Sequence, residues 1–144
     1  MQATCTQIPH GSETYWEAIQ LRDSVLRKPL GLAYNQEDLL AEDGSYHIVC
    51  RNGDELVGCL VLKPAEDGVM KMRQFAVRAD AQGHGIGRLL ENYAERFSKE
   101  KGFKEIQLHA REVALGFYQK LGYQAEGERF IEVTIPHLAM RKQL

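Results

Sequence analysis

The chain has no apolar run near the ~20 residues that a membrane-crossing helix requires. Its start, Met1 to His10, has no basic stretch leading into a long apolar core. Neither a transmembrane helix nor a secretory leader is expected. Cysteine is scarce: three residues, an odd number, with no C-x-x-C and no His/Cys ligand spacing. That argues against a metal site and against a disulfide framework. Cys50 and Cys59 fall in strand-like stretches, where a free thiol behaves as a small buried hydrophobe, so a reducing, cytoplasmic setting is expected. A net charge of −2 leaves no basic surplus for nucleic acid. With 144 residues, 44% hydrophobic and 26% charged, one domain over 1–144 suffices to bury about two-thirds of its unfolded surface.

The charge is unevenly placed. From Val69 to Lys101 seven basic residues face four acidic ones, whereas from His10 to Ser45 the count is three against seven. A positive centre suits a phosphorylated cofactor, and an acidic first third suits a cationic acceptor.

Periodicity gives a coarse layout. Thr14 to Leu26 reads as a helix capped by Ser12, ended by Pro29 and Gly31, and a short helix is expected around Asn35 to Ala41. Strands are expected at Tyr46–Arg51 and Glu55–Lys63, joined at Asn52-Gly53, a strong hairpin signal. A strand Val69–Val77 follows the turn Glu66-Asp67-Gly68. The clearest helix comes next, with Ile86, Leu89, Leu90, Tyr93, Ala94 and Phe97 on one face and Gly102 as its stop. A strand Phe103–His109, a helix Val113–Leu121, a strand from Tyr123 and a last one near Pro136–Arg141 complete the chain. Helices, an antiparallel meander and a β-α-β-α-β half imply an α+β fold around one mixed sheet.

The most informative stretch is the junction of the third strand and the long helix. Phe75, Ala76 and Val77 lead through a polar link into Gln82-Gly83-His84-Gly85-Ile86-Gly87-Arg88. A helix start leaves backbone N–H groups unpartnered, and glycines let that backbone close around an anion. The lysine and hydroxyl of a nucleotide P-loop are missing, because Arg88-Leu89 follows the last glycine. A dinucleotide G-x-G-x-x-G is missing too, since Arg88 occupies its third glycine position. A plain chain reversal needs one glycine, not three alternating ones.

The arrangement does match Q-x-x-G-x-G at Gln82, Gly85 and Gly87, and the segment Ala114 to Tyr123 matches A-x-x-F-Y-x-K-x-G-[FY]. On these two motifs, in this order, the sequence resembles the GNAT superfamily of acetyl-CoA-dependent N-acetyltransferases, over about Met70 to Tyr123. Ile135 to Met140 is also similar to the ending of a group of small bacterial members. The resemblance implies a mostly antiparallel mixed sheet flanked by about four helices, acetyl-CoA as acyl donor, an amine as acceptor, and no metal, nucleic acid or membrane partner. Small members often pair as homodimers. It also implies that Gln82, Gly83, His84, Gly85, Ile86, Gly87 and Arg88 wrap the cofactor's pyrophosphate. The strand edge at Phe75, Ala76 and Val77 would then pair with the pantetheine arm. Tyr118 matches the family's tyrosine that protonates the leaving thiolate. Arg111 stands where many relatives carry an asparagine, and is read as a cofactor contact.

The base is the gap. Many relatives place a glutamate on the strand before the glycine loop, but Val69 to Val77 holds no acid. His137 and His109 are the groups best matched to neutral pH; Glu132 and Glu37 rank below them, and a water chain is an alternative. Because the carboxylate is missing, a non-catalytic acyl-CoA-binding module is the competing reading. A nicotinamide-dependent oxidoreductase is a third.

Overall fold

Apolar residues alternating along the strands, and recurring every three to four residues along the helices, put two cores on opposite faces of one sheet. The computed structural model describes residues 2–144. Among these the sheet has seven strands in the order β1-β2-β3-β4-β5-β7-β6. They are β1 (Ala3–Ile8), β2 (Tyr46–Asn52), β3 (Glu55–Pro64), β4 (Val69–Val77), β5 (Glu105–Arg111), β6 (Gln124–Glu132) and β7 (Ile135–Gln143). The four α-helices are α1 (Glu13–Arg22), α2 (Gln36–Leu40), α3 (Ile86–Glu100) and α4 (Leu115–Lys120). Neighbouring strands run antiparallel except β4 and β5. The mixed, mostly antiparallel α+β architecture expected from the sequence is present. Among the described residues no helix is long and apolar enough to cross a membrane.

Helix α1 starts where Ser12 Oγ accepts from the Tyr15 amide at 3.2 Å, and it buries Tyr15, Ala18 and Leu21 against Val49, Cys59 and Ala76. It does not run as an α-helix to Leu26. At Asp23–Arg27 it widens into a π-turn, then tightens to a 3₁₀ turn at Lys28–Leu30 and ends at Gly31 with φ of 71°. On the opposite face α3 lays Ile86, Leu90 and Ala94 over Ile48, Leu60, Leu62 and Met72; each large side chain so buried contributes ~1.5–3 kcal/mol. The approach is close. A Cβ at Gly58 of β3 would lie 2.7 Å from Leu90 Cδ1.

Three differences from the sequence reading have physical causes. β1 was not expected: it is an edge strand of small and polar residues, and it pairs with β2 so that Cys5 faces Cys50. β5 begins two residues later than expected, at Glu105, since Phe103 and Lys104 form the connector after the Lys101-Gly102 turn, with Phe103 N still bonded back to Ser98 O at 2.9 Å. α4 begins at Leu115 because Glu112–Ala114 forms a 3₁₀ turn first. Pro136 is tolerated in β7 because it lies beyond the last residue paired with β5, where Arg111 meets His137.

One feature of the sheet positions everything that follows. β4 pairs with β5 only from Val69 to Lys71, against Glu105 to Gln107. Beyond that point β4 stays with β3 as far as Val77, and β5 stays with β7 as far as Arg111. The two strands part, and a cleft opens between them.

Candidate active site

The cleft has a volume of about 990 Å³ and runs from the glycine loop through the parted strands to β7. At its mouth Gln82 Nε2 donates to the Val77 carbonyl at 3.1 Å, tying the loop to the end of β4. Gly83 and Gly85 adopt φ of 83° and 82°, a left-handed conformation costly for any residue with a Cβ. Gly85 caps α3 without a side-chain hydrogen bond, and the first intrahelical bond is Leu89 N to Gly85 O at 3.0 Å. The amides of Ile86, Gly87 and Arg88 therefore lack intrahelical partners at the positive end of a 15-residue helix. An anion fits there. From Met72 onward the β5-facing edge of β4 has no strand partner, so an extended ligand can pair with it.

Of the residues singled out for the cofactor, Phe75, Ala76, Val77, Gln82, Gly83, Gly85, Ile86, Gly87, Arg88 and Arg111 line the cleft. His84 is not among its walls and is exposed: it sits on the outer side of the turn. Arg111 has a second task, donating from Nη2 to the Leu26 carbonyl at 3.3 Å, which pins the π-turn to the end of β5.

Tyr118 stands in the cleft wall, 8% exposed. Its ring makes edge contacts with Phe75 at 6.1 Å, Phe117 at 5.1 Å and Tyr123 at 5.6 Å. Its hydroxyl makes no hydrogen bond among the described residues. Burial pushes the phenol above the usual tyrosine range, the Glu91 carboxyl adding to the effect and Arg111 opposing it. At neutral pH the group is protonated, the form that can donate.

The sequence did not foresee that His109 and His137 meet on one carboxylate. His109 Nδ1 lies 2.9 Å from Glu132 Oε1, and His137 Nε2 lies 3.8 Å from Glu132 Oε2. His137 Nδ1 faces the Ile135 carbonyl at 2.9 Å; donating there leaves Nε2 with the lone pair. The ring of Phe130 packs against both imidazoles, 4.9 Å from His109 and 6.0 Å from His137. All but Phe130 line the cleft. A carboxylate that orients one imidazole, with a second imidazole nearby, is an arrangement suited to moving protons. Glu37, the lower candidate, lines neither this cleft nor the one beside it.

A second group was missed altogether. Gln74 sits at the irregularity of the β3–β4 pairing with φ of 54°, and its Oε1 accepts from the Tyr34 hydroxyl at 2.5 Å. The Tyr34 ring lies between two guanidinium groups, Arg22 at 4.7 Å and Arg27 at 4.5 Å. Arg22 is buried and grips Glu42 with two bonds of 2.8 and 2.7 Å, while the Tyr15 hydroxyl donates to the same carboxylate at 3.0 Å. Burial alone would raise the Glu42 carboxyl, but the bonds and charge of Arg22 outweigh it and hold the group below its ordinary range. These partners are distant in sequence, and no local pattern announces them.

Of the seven acids in the acidic first third, three are paired within the fold. Glu17 is bound to Arg51, Asp23 to Lys28 and Glu42 to Arg22. The acids of this segment that reach a cavity wall are Asp38 and Glu42.

A sheet parted at one parallel pair, unpartnered amides at the mouth and a buried phenol in the wall thus come together on one cleft. The acetyltransferase (GNAT) family model matches residues 9–123, and the chain belongs to that family. It is 29% identical over 136 residues to the uncharacterized N-acetyltransferase YjcF of Bacillus subtilis, covering 94% of this chain and 96% of that one. It is 36% identical over 74 residues to YyaT of the same organism, a match spanning about half of each, 51% and 50%. Among solved structures it is similar to a putative N-acetyltransferase from Lactobacillus plantarum, with a TM-score of 0.87, 26% identity, and coverage of 99% and 98% of the two chains.

Proposed function

We propose that this chain moves an acetyl group from acetyl-CoA to a primary amine of a small metabolite or peptide by direct attack of the amine on the thioester. One observation carries the reading: a single cleft joins the glycine loop, the Tyr118 phenol and the His109–Glu132–His137 group. The unpartnered amides of Ile86, Gly87 and Arg88 suit the diphosphate, and the free edge of β4 suits the amide-bearing arm. When bound, the thioester supplies an activated acyl group.

The protein's residues must then manage two protons. A lysine-like amine, pKa ~10.4, is mostly protonated at pH 7, a deficit of ~4.6 kcal/mol in free nucleophile. His109, which Glu132 orients, or His137 through Nε2 takes the proton the amine loses, and Tyr118 gives one to the departing sulfur. The test is thiol release from acetyl-CoA with an amine panel, followed as kcat/KM against pH. Both His137→Ala and Glu132→Gln are expected to flatten the acidic limb of the profile. If His137→Ala and His109→Ala both keep that limb, neither histidine is the base.

Gln74, on the strand where relatives carry a glutamate, favours a second reading as an acyl-CoA-binding module without turnover. That reading predicts CoA binding with no thiol appearing for any amine.

A further inference from the structure

Lys63 on β3 and Lys71 on β4 are directly paired across the sheet, and Arg73 lies two residues along β4 on the same face, opposite Val61. Like charges set opposite each other on neighbouring strands cost stability. None of the three forms an ion pair among the described residues, although eleven such pairs involve other groups. Lys63, Arg73, Gln74 and Arg27 line both the main cleft and a neighbouring hollow of about 260 Å³ under α2, so the two cavities meet at these residues. Of the carboxylates close by, Glu42 is held by Arg22 and Glu126 by Arg141 at 3.0 Å, while Asp38, on the wall of the smaller hollow, forms no ion pair among the described residues. Three cations against one free carboxylate leave a net positive patch at the end of the cleft away from the glycine loop.

We propose that the patch of Arg73, Lys63 and Lys71 binds an oxyanion carried by the acceptor itself, so that the substrate is an amine bearing a carboxylate or a phosphate. The proposal rests on the transfer reading above and narrows it. A guanidinium matches either oxyanion with two parallel hydrogen bonds, and lysines add charge with freer geometry. The same cations disfavour an ammonium group nearby, which lowers the acceptor's pKa and frees its lone pair. A second cationic group on the acceptor would be repelled.

The test is calorimetric titration of the CoA-saturated protein with matched amines. The pairs are 3-aminopropanoate against propylamine and 2-aminoethyl phosphate against ethanolamine, with 1,4-diaminobutane as the dicationic control. In at least one pair the anionic member is expected to bind tenfold or more tightly, and the diamine weakest. Which pair shows the larger gap separates carboxylate from phosphate. Arg73→Ala is expected to reduce the preference about tenfold, with Arg73→Lys restoring part of it; all three cations are exposed, so the variants should fold. Equal affinities within both pairs, or tighter binding of the diamine, overturns the proposal. Anion-selective binding without thiol release would sink the transfer reading and leave the patch standing; thiol release without charge preference does the reverse.

Discussion

Replacing Glu91 with glutamine should make the protein more stable, by an amount that depends on pH in a defined way. Glu91 is fully buried on α3. Its Oε1 accepts from the Tyr123 hydroxyl at 3.0 Å, while Oε2 has no partner. Burial, reinforced by Glu95 one turn along the helix, raises its pKa from 4.5 to about 8, with Tyr123 and Lys142 opposing. In this window the folded protein holds a proton that the unfolded chain has released. Stability therefore falls as pH rises, by about 1.4 kcal/mol per pH unit, and levels off above the folded pKa. Between 4.5 and about 8 the full loss comes to ~5 kcal/mol, a large share of a typical domain's 5–15 kcal/mol. Glutamine keeps the shape and the acceptor for Tyr123 but does not titrate. Urea unfolding of both proteins at pH 5, 6, 7, 8 and 9 should give nearly equal stabilities at the acidic end. The gap should widen in the variant's favour up to pH 8 and then stay constant. Parallel curves across that range would refute the claim that Glu91 is protonated in the fold.

Other outcomes are equally open to measurement. Tyr118→Phe should lower turnover roughly 10²- to 10⁴-fold in the thiol-release assay while acetyl-CoA still binds; unchanged turnover removes the phenol from the mechanism. Gly58→Ala drives a methyl group to within 2.7 Å of Leu90 Cδ1, and should cost ~1–3 kcal/mol in denaturant unfolding. Glu42→Gln leaves the buried Arg22 guanidinium without its counter-charge, and should lower stability by ~3–5 kcal/mol.

What could be read from the sequence was whatever is written locally. The strand–glycine–helix junction was legible because the left-handed turns at Gly83 and Gly85 and the α3 face of Ile86, Leu90 and Ala94 lie within one short stretch. β1 was illegible because an edge strand that buries little side-chain area carries a weak alternation. The histidine–carboxylate group depends on the register of a hairpin whose turn, Val133-Thr134, has φ of 43° and 69°. β-branched residues rarely take that conformation and give no turn signal. So the two histidines could be named but their meeting on Glu132 could not. Charge is legible only in part for a related reason: composition counts acids, whereas Arg22, Lys28 and Arg51 decide which remain free.

The short seam between Val69–Lys71 and Glu105–Gln107 makes the sheet two leaves on a narrow spine. An occupant lying in the gap would act as a missing eighth strand, binding one leaf to the other through its own amides. Amide exchange should then slow on β4 and β5 together, well away from the phosphates, and the stiffening itself would report that the gap is filled.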